Sequence, residues 1–247
     1  MQVGIDSNSY GDYLTQSWRH LLPDSKRAHN LRSAANWLSS FDIVALQEVD
    51  AGSLRSQFVN QVEFLAHQGG FPHYYQQQNR KVAGLAAHSN GLLSKFASSH
   101  AVHHKLPGRI PGRGALQVTF DTGKEQILVL SVHLSLSHKA RCLQLKYIAE
   151  HLKTTPYFII MGDMNCHMQH ISYSNLAQRD MLSYLQDLKQ ETIDSLASYP
   201  AWKPSRLIDH ILVSPSIKVQ NIQTLAVPFS DHLPIAIEVQ LPAHILV

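Results

Sequence analysis

The 247-residue sequence has few cysteines, only Cys142 and Cys166, and few charged residues, 16% of the total. Two cysteines are too few for a disulfide framework and lack the spacing of a zinc site, so we expect a reducing, cytoplasmic location. No apolar run approaches the roughly 20 residues of a membrane span, and the first residues lack the pattern of a secretory signal. We therefore expect no integral membrane association.

No linker rich in proline, glycine or serine divides the chain, and no block of like charge does so either. We therefore expect a single domain over residues 1–247. The hydrophobic content of 44% is typical of a globular protein. A net charge of +3 permits an anionic substrate but is low for a dedicated nucleic-acid binder. Nothing in the sequence specifies an oligomeric state, and we take a monomer as the default.

Helix and strand patterns alternate along the chain. Apolar residues recur at helical spacing in four stretches, whereas shorter apolar runs predict buried strands. The predicted helices are Ser25 to Ser40, Ser53 to Gln68, Ala140 to Leu152 and Ser174 to Gln190. The main predicted strands are Met1 to Ile5, Ile43 to Leu46, Ile127 to His133, Phe158 to Met161, Leu207 to Val213 and Ile235 to Leu241. This alternation predicts an α/β domain with helices covering the faces of a mixed sheet.

Polar side chains stand at the ends of several predicted strands. Asp163 and Asn165 follow the Phe158 run, and Glu48, His133 and Asp209 lie at the ends of three other runs. A single acid after a strand is more often a turn former or a helix cap. Repeated along the chain, however, such residues supply the oxygen ligands that Mg²⁺ prefers and imidazoles that can move protons. The repetition indicates a site at one edge of a sheet.

Five short motifs follow one another along the chain, namely Gln47-Glu48, His133-Leu134, Gly162-Asp163-Met164-Asn165, Ile208-Asp209-His210-Ile211-Leu212 and Ser230-Asp231-His232-Leu233-Pro234. In this order they resemble the endonuclease/exonuclease/phosphatase superfamily, the deoxyribonuclease I-like phosphoesterases, including its small bacterial members. The resemblance implies a four-layer α/β/β/α sandwich, with two mixed sheets face to face and helices outside. It also implies hydrolysis of a phosphate ester with Mg²⁺ or Mn²⁺. It is nearly silent about the substrate.

The resemblance also implies roles for the metal ligands and the base. Glu48 would hold the metal ion, and Asp231 would bind the ion or support a ligand. His232 would be the general base for the attacking water. Asp209 would hold the His232 imidazole in the useful tautomer and stabilise its protonated form.

Three further residues would handle water and phosphate. Asp163 would orient the water, while Asn165 and His133 would donate to phosphoryl oxygens, and His133 is also a candidate general acid.

Because side chains alternate along a strand, Gln47 is predicted to point away from Glu48, and His210 away from Asp209.

Three residues are candidates for contacts with the substrate, each with a structural alternative. Asn90 matches a family segment near the site but could form a plain turn. Arg113 could clamp phosphate from a flexible basic loop or belong to a solvated connection. Trp202 could stack on a base or ring, although a packed aromatic residue is the commoner outcome.

The start of the chain departs from the family pattern. Family members open with a strand that ends in an Asn at the metal and phosphate site. Here Met1 to Ile5 resembles the family segment located just after that Asn, so the first strand and its ligand are expected to be missing or truncated. Asn8 is a poor substitute because it lies well along the following loop. We therefore expect weaker Mg²⁺ binding than in a relative that has this Asn.

Taken together, the sequence predicts a magnesium-dependent phosphodiesterase or phosphatase. DNA or RNA is the first-choice substrate because the chain is mildly basic. A phospholipid or phosphoinositide hydrolase is the alternative, although no convincing membrane-contact loop is visible in the sequence. The absent Asn also leaves open a binding module that keeps the fold but has lost activity.

Overall fold

The structure is a computed structural model that describes residues 25–82, 86–109, 112–167, 195–227 and 229–245. Its helices are α1 (Ser25–Leu38), α2 (Gln61–Gly69) and α3 (His138–His151), and its strands are β1 (Ile43–Asp50), β2 (His73–Val82), β3 (Ala86–Ser94), β4 (His100–Lys105), β5 (Gly114–Asp121), β6 (Gln126–His133), β7 (Tyr157–Asp163), β8 (Asp209–Val213), β9 (Lys218–Thr224) and β10 (Ile235–Gln240). The predicted helix Ser174 to Gln190 and the predicted strand Met1 to Ile5 lie outside the described residues. The expectation of a missing first strand also concerns residues that the structure does not describe.

The described strands form three sheets. One has the order β1-β3-β2, a second has the order β4-β5-β6-β7-β8, and β9 pairs with β10. β6 and β7 are parallel, and the strand pairs on either side of them are antiparallel. The two larger sheets face each other, since β1 contacts β6 and β7 while β3 contacts β5 and β6. The predicted mixed α/β sandwich is confirmed.

Three buried clusters separate the four layers. α1 and α2 pack on the outer face of the β1-β3-β2 sheet through Leu38, Leu65 and Leu46. A second cluster lies between the two sheets, and a third joins α3 to the outer face of the five-stranded sheet. β6 and β7 are buried on both faces, which explains why their sequences are continuous apolar runs. None of the described helices is both long and apolar enough to cross a membrane.

The segment after β1 differs from its prediction. The sequence predicts a helix over Ser53 to Gln68, but a 3₁₀ turn at Leu54–Ser56 comes first and α2 begins only at Gln61. The buried Asp50 carboxylate accepts hydrogen bonds from the Ser53 amide and the Ser56 hydroxyl, at 2.7 and 2.9 Å. These local hydrogen bonds compete with helix formation, and Asn60 then caps α2 through its side-chain oxygen.

An apolar cavity of about 150 Å³ lies between β1 and β10. Ile43 to Gln47 line one wall, and Ile235 to Ile237 line the other. Among the described residues, neither strand has a partner on the edge that borders this cavity. The β1-β3-β2 sheet and the β9-β10 pair therefore remain separate sheets in the described part of the chain.

Gly162 is a backbone requirement of the central strand. Its φ is +147°, and a Cβ at this position would collide with the carbonyl oxygen of Val132 on β6. Residues other than glycine rarely adopt this backbone conformation. The glycine therefore allows β7 to lie close to β6 immediately before Asp163.

We expect Gly162→Ala to lower the free energy of unfolding by roughly 2–6 kcal/mol, because it combines a buried collision with backbone strain. Gly70→Ala is the matched control. Gly70 also has a positive φ, +70°, but a Cβ added to it would have no atom within 4 Å. That variant should lose only roughly 1–2 kcal/mol. Urea denaturation of both variants measures the difference, and equal losses would contradict the close approach of β6 and β7.

Candidate active site

Three polar residues lie in one row across the five-stranded sheet. His133 of β6 is directly opposite Asp163 of β7, and Asp163 is directly opposite Asp209 of β8. Neighbouring strands of a sheet lie about 4.7–4.9 Å apart. The register therefore brings together residues that are far apart in the sequence.

A β-bulge in β1 directs Glu48 to the same place. Leu46 pairs with Gly91 and Val49 with Ser89, so Gln47 and Glu48 together oppose the single residue Asn90. Glu48 has a φ of 57°, in the left-handed region. Bulges re-aim side chains in this way. The prediction that Gln47 points away from Glu48 is wrong, because both side chains reach the same face of β6: Gln47 Nε2 lies 3.4 Å from Ser131 Oγ, and Glu48 Oε1 lies 3.9 Å from His133 Nε2.

This cleft has a volume of about 240 Å³. Seven of the residues predicted from the sequence line it, namely Glu48, Arg113, His133, Asp163, Asn165, Asp231 and His232. The other lining residues are Gln47, Leu136, Tyr199, Arg206 and Ile208. Carboxylates, imidazoles and guanidinium groups thus converge on one open space.

Asp209 supports the cleft from behind His232. Its Oδ2 lies 2.7 Å from His232 Nδ1 and accepts a second hydrogen bond from the Ser198 hydroxyl at 2.6 Å. The Tyr199 ring packs on the His232 ring, with centroids 4.6 Å apart. These contacts hold the imidazole by one nitrogen and leave Nε2 available for a proton from another molecule.

The charges of this pair shift both pKa values. Burial lowers the pKa of His232, but the Asp209 carboxylate and its hydrogen bond outweigh burial and raise the pKa to about 8. Burial raises the pKa of Asp209, but the charge and hydrogen bond of His232 and the Ser198 hydroxyl bring it below its ordinary value. The ion pair is therefore the favoured state near neutral pH.

Asp163 and His133 show the opposite behaviour, since burial favours their neutral forms. Burial and the nearby Asp209 charge raise the pKa of Asp163 to about 7. Burial and the positive charge of Arg113 hold the pKa of His133 well below its ordinary value. His133 Nε2 lies 3.5 Å from Asp163 Oδ2 and 3.9 Å from Glu48 Oε1. A neutral His133 can therefore donate a hydrogen bond but does not carry a positive charge.

Asn165 is held by a tight turn after β7. Its backbone N–H donates to Asp163 Oδ1 at 2.8 Å, and its side-chain Nδ2 donates to the Leu134 carbonyl at 2.9 Å. Its φ of 51° is one that asparagine tolerates better than most residues. The turn places Asn165 at the edge of the cleft, next to the end of β6.

The donor set suits a hard cation. Glu48 has a carboxylate side chain that is 37% exposed, and Asp163 is a buried carboxylate in the same cleft. In the described part of the chain, no group of three or more His, Cys, Asp or Glu side chains is arranged to hold a metal ion. Mg²⁺, however, commonly takes only one or two carboxylates together with water and substrate phosphate. The cleft therefore fits that mode of binding.

Two predicted substrate contacts are not placed in the cleft. Asn90 is fully buried opposite the β1 bulge, and its Nδ2 donates to the Gly114 carbonyl at 2.9 Å. In this position Asn90 links the two sheets and does not line the cleft. Trp202 is half-buried and is not among the residues that line the cleft. His210 is buried behind β8, where its Nε2 donates to the Cys166 carbonyl at 2.8 Å, as strand alternation predicts.

Sequence reasoning missed three residues near His232. Ser198 and Tyr199 come from the loop before β8, and Arg206 lies with its guanidinium carbon 5.5 Å from the Tyr199 ring centroid. An isolated bridge between Tyr199 and Arg206 brings this loop over the cleft. The only sequence signal was the position of Arg206 just before the Asp209 motif.

The chain matches the model of a known protein family. The model of the Endonuclease/Exonuclease/phosphatase family matches residues 8–232. No curated protein sequence matches the chain.

Solved structures share the fold. Mannosyl-6-phosphatase Bt3783 of Bacteroides thetaiotaomicron VPI-5482 is 18% identical with a TM-score of 0.66, and the match covers 96% of this chain and 97% of that one. D. rerio TDP2, complexed with single strand DNA product, is 16% identical with a TM-score of 0.61 and coverage of 86% and 92%. An endonuclease/exonuclease/phosphatase from Beutenbergia cavernae DSM 12333 is 22% identical with a TM-score of 0.61 and coverage of 85% and 66%. At these identities the likeness shows the fold alone.

We expect the imidazole of His232 to titrate with a midpoint near 8, measurable by NMR. Since this exceeds the ordinary value of 6.5, the pair contributes about 2 kcal/mol of stability below pH 6.5, which is lost as the pH rises through 8. Asp209→Asn should move the midpoint below 6.5, because burial then lowers the pKa of His232 without the opposing negative charge of Asp209. Asp231→Asn, the matched control, should lower it less. An unchanged midpoint in Asp209→Asn would contradict the pairing.

Proposed function

Because this chain belongs to the endonuclease/exonuclease/phosphatase family, whose members are generally hydrolases of phosphoester bonds, we propose that its cleft hydrolyses a phosphate ester by attack of water with Mg²⁺ or Mn²⁺. The observation that carries this proposal is the Asp209–His232 pair at 2.7 Å, whose His232 lines a cleft together with the buried carboxylate of Asp163 and with Arg113. An ordinary surface ion pair would not have an uncharged histidine, His133, and a carboxyl group of raised pKa, Asp163, beside it. Such opposite shifts are typical of acid–base sites.

In the proposed reaction, water attacks phosphorus, and the oxygen–phosphorus bond to the leaving group breaks. His232 Nε2 accepts the proton of the attacking water, and Asp209 stabilises the imidazolium that results. Asp163 accepts a hydrogen bond from the same water and orients it. The leaving oxygen ends with a proton from solvent or from the cleft.

The phosphoryl oxygens would contact neutral and cationic donors. Asn165 and His133 would donate hydrogen bonds to them, and Arg113 would neutralise part of their charge. We assign His133 to hydrogen bonding, because its low pKa leaves it without an acidic proton to give near neutral pH. Asp231 also lines the cleft and would support the metal or its ligands.

Glu48 would hold the metal ion, and Asp163 and Asp231 line the same cleft. When bound, a divalent cation polarises the phosphate and offsets negative charge on the leaving oxygen. The buried position of Asp163 also favours a cation, since a positive charge would stabilise its ionised form.

Nucleic acid remains our first-choice substrate. The mild positive charge of the chain and the two arginines in the cleft, Arg113 and Arg206, support an anionic polymer or a phosphorylated small molecule. The fold is shared with a DNA-bound TDP2 and with a mannosyl-6-phosphatase, so it is compatible with either class.

An amphiphilic phosphoester is a second candidate because of Leu136. This side chain lines the cleft, yet it is 77% exposed. An exposed leucine at the mouth of a polar cleft could contact the acyl region of a phospholipid or phosphoinositide. A panel of single-stranded DNA, RNA, a sugar phosphate and a phosphoinositide in vesicles separates the two candidates.

We expect substitutions of His232 and Glu48 to impair the reaction in different ways in such assays. His232→Ala should lower kcat by about 10²–10⁴-fold through loss of the general base. Glu48→Gln should raise the Mg²⁺ concentration needed for half-maximal rate, because it removes a charged oxygen ligand. His67→Ala on α2 is the control, since His67 does not line the cleft. Full activity in a chelator, or in His232→Ala, would contradict the mechanism.

The pH dependence should report the same base. We expect kcat/KM to rise with pH through an inflection at or below 8, because His232 must lose its proton and a bound cation would lower its pKa. The inflection should persist in Asp163→Asn but move to lower pH in Asp209→Asn. A rate that falls as the pH rises from about 6 to 8 would assign the essential group to an acid.

A further inference from the structure

A second cluster of histidines lies at the edge of the five-stranded sheet, under the last turn of α3. Two imidazoles converge there on one oxygen. His104 Nε2 lies 2.8 Å from Gln117 Oε1, and His151 Nε2 lies 2.7 Å from the same oxygen. The two ring centroids are 4.3 Å apart. None of these residues lines the catalytic cleft.

Three elements build this cluster. His104 comes from edge strand β4, Gln117 from β5 and His151 from the C-terminal residue of α3. His104 is paired with Ala115, so Gln117 stands two residues further along on the same face of the sheet. His104 and Gln117 are buried, whereas His151 is exposed. The cluster therefore has fixed walls and an open side towards solvent.

We propose that His104, His151 and Gln117 form a binding site for a first-row transition-metal dication such as Zn²⁺, separate from the catalytic cleft. Imidazole nitrogens favour Zn²⁺, Cu²⁺ and Ni²⁺, whereas Mg²⁺ prefers oxygen ligands. The two Nε2 atoms and Gln117 Oε1 would be the protein ligands, and water would complete the coordination.

The geometry requires only a small adjustment. At Zn–N distances of about 2.0–2.1 Å, tetrahedral geometry separates two ligand atoms by about 3.3 Å. The present nitrogen–oxygen separations of 2.7 and 2.8 Å must therefore widen by roughly half an ångström. His151 can provide this movement because it lies on the solvent side.

The protons can also be accommodated. Each imidazole binds metal through Nε2 after its proton moves to Nδ1, so no net proton release is needed. His104 Nδ1 lies 3.0 Å from the Tyr147 hydroxyl, which can accept a hydrogen bond as well as donate one. Gln117 keeps its own anchor, because its Nε2 donates to the Thr119 hydroxyl at 3.2 Å. Burial and the neighbouring His104 lower the pKa of His151, which favours its neutral, metal-binding form.

Such an ion would attach the end of α3 to the edge strand β4. It would therefore stabilise the outer layer of the sandwich, and the effect should be visible without any substrate. Ligands that bind only the folded state raise the midpoint of thermal unfolding.

The test is Zn²⁺ titration by calorimetry of the full chain, with excess Mg²⁺ to occupy the cleft. All variants are made in a Cys142→Ser background, because Cys142 Sγ lies 3.8 Å from His138 Nε2 on the same helix and could bind Zn²⁺. We expect one Zn²⁺ site whose affinity falls by more than about 100-fold in His104→Ala and in His151→Ala, a larger loss than removing a hydrogen-bond partner of a ligand causes.

Two further variants make the result specific. His151→Gln retains a side-chain N–H for Gln117 Oε1, so it should fold normally yet lose both the Zn²⁺ site and the Zn²⁺-dependent rise in Tm. His103→Ala removes an exposed neighbouring imidazole on β4 and should bind Zn²⁺ like the parent. Equal Zn²⁺ affinity in the parent, His104→Ala and His151→Gln would overturn the proposal. Absence of Zn²⁺ binding by the parent would overturn it as well.

Discussion

The register of β6, β7 and β8 is the constraint on which the site depends. It places His133, Asp163 and Asp209 side by side, although each is 30 or more positions from the next in the sequence. The parallel pairing of β6 with β7 needs the crossover through α3, and the close approach of the two strands needs Gly162. Glu48 reaches the same place from the facing sheet through the bulge in β1. The sandwich therefore serves to align four strand ends.

Direct partners then give two neighbouring buried carboxyl groups different protonation behaviour. Asp163 and Asp209 face each other across two strands, yet the pKa of Asp163 is raised and that of Asp209 is lowered. The difference arises because Asp209 has His232 and Ser198 as direct partners. Asp163 has only the Asn165 amide as a close hydrogen-bond donor among the described residues. Asp209 is therefore suited to hold the proton-accepting imidazole of His232, whereas Asp163 is suited to orient water or face a cation.

The sequence was most informative where chemistry is confined to a short motif. Asp163 with Asn165, and Asp231 with His232, could be placed from local order alone, and they line one cleft. Sequence patterns were misleading where the position of a side chain depends on contacts with residues distant in the sequence. Strand alternation misplaced Gln47 because a bulge at Glu48 interrupts it. Asn90 resembled a substrate contact, but hydrogen bonding to Gly114 fixes it between the sheets. Tyr199 and Arg206 reach the cleft through a bridge that no local pattern reveals.

In the proposed reaction, Glu48 and His232 act on one phosphate in this cleft. Anomalous diffraction from crystals grown with Mn²⁺ and inorganic phosphate tests it most directly. We expect a Mn²⁺ peak beside the Glu48 carboxylate and a phosphate between that ion and His232. A Mn²⁺ peak away from Glu48, or a phosphate bound only outside the cleft, would contradict the account.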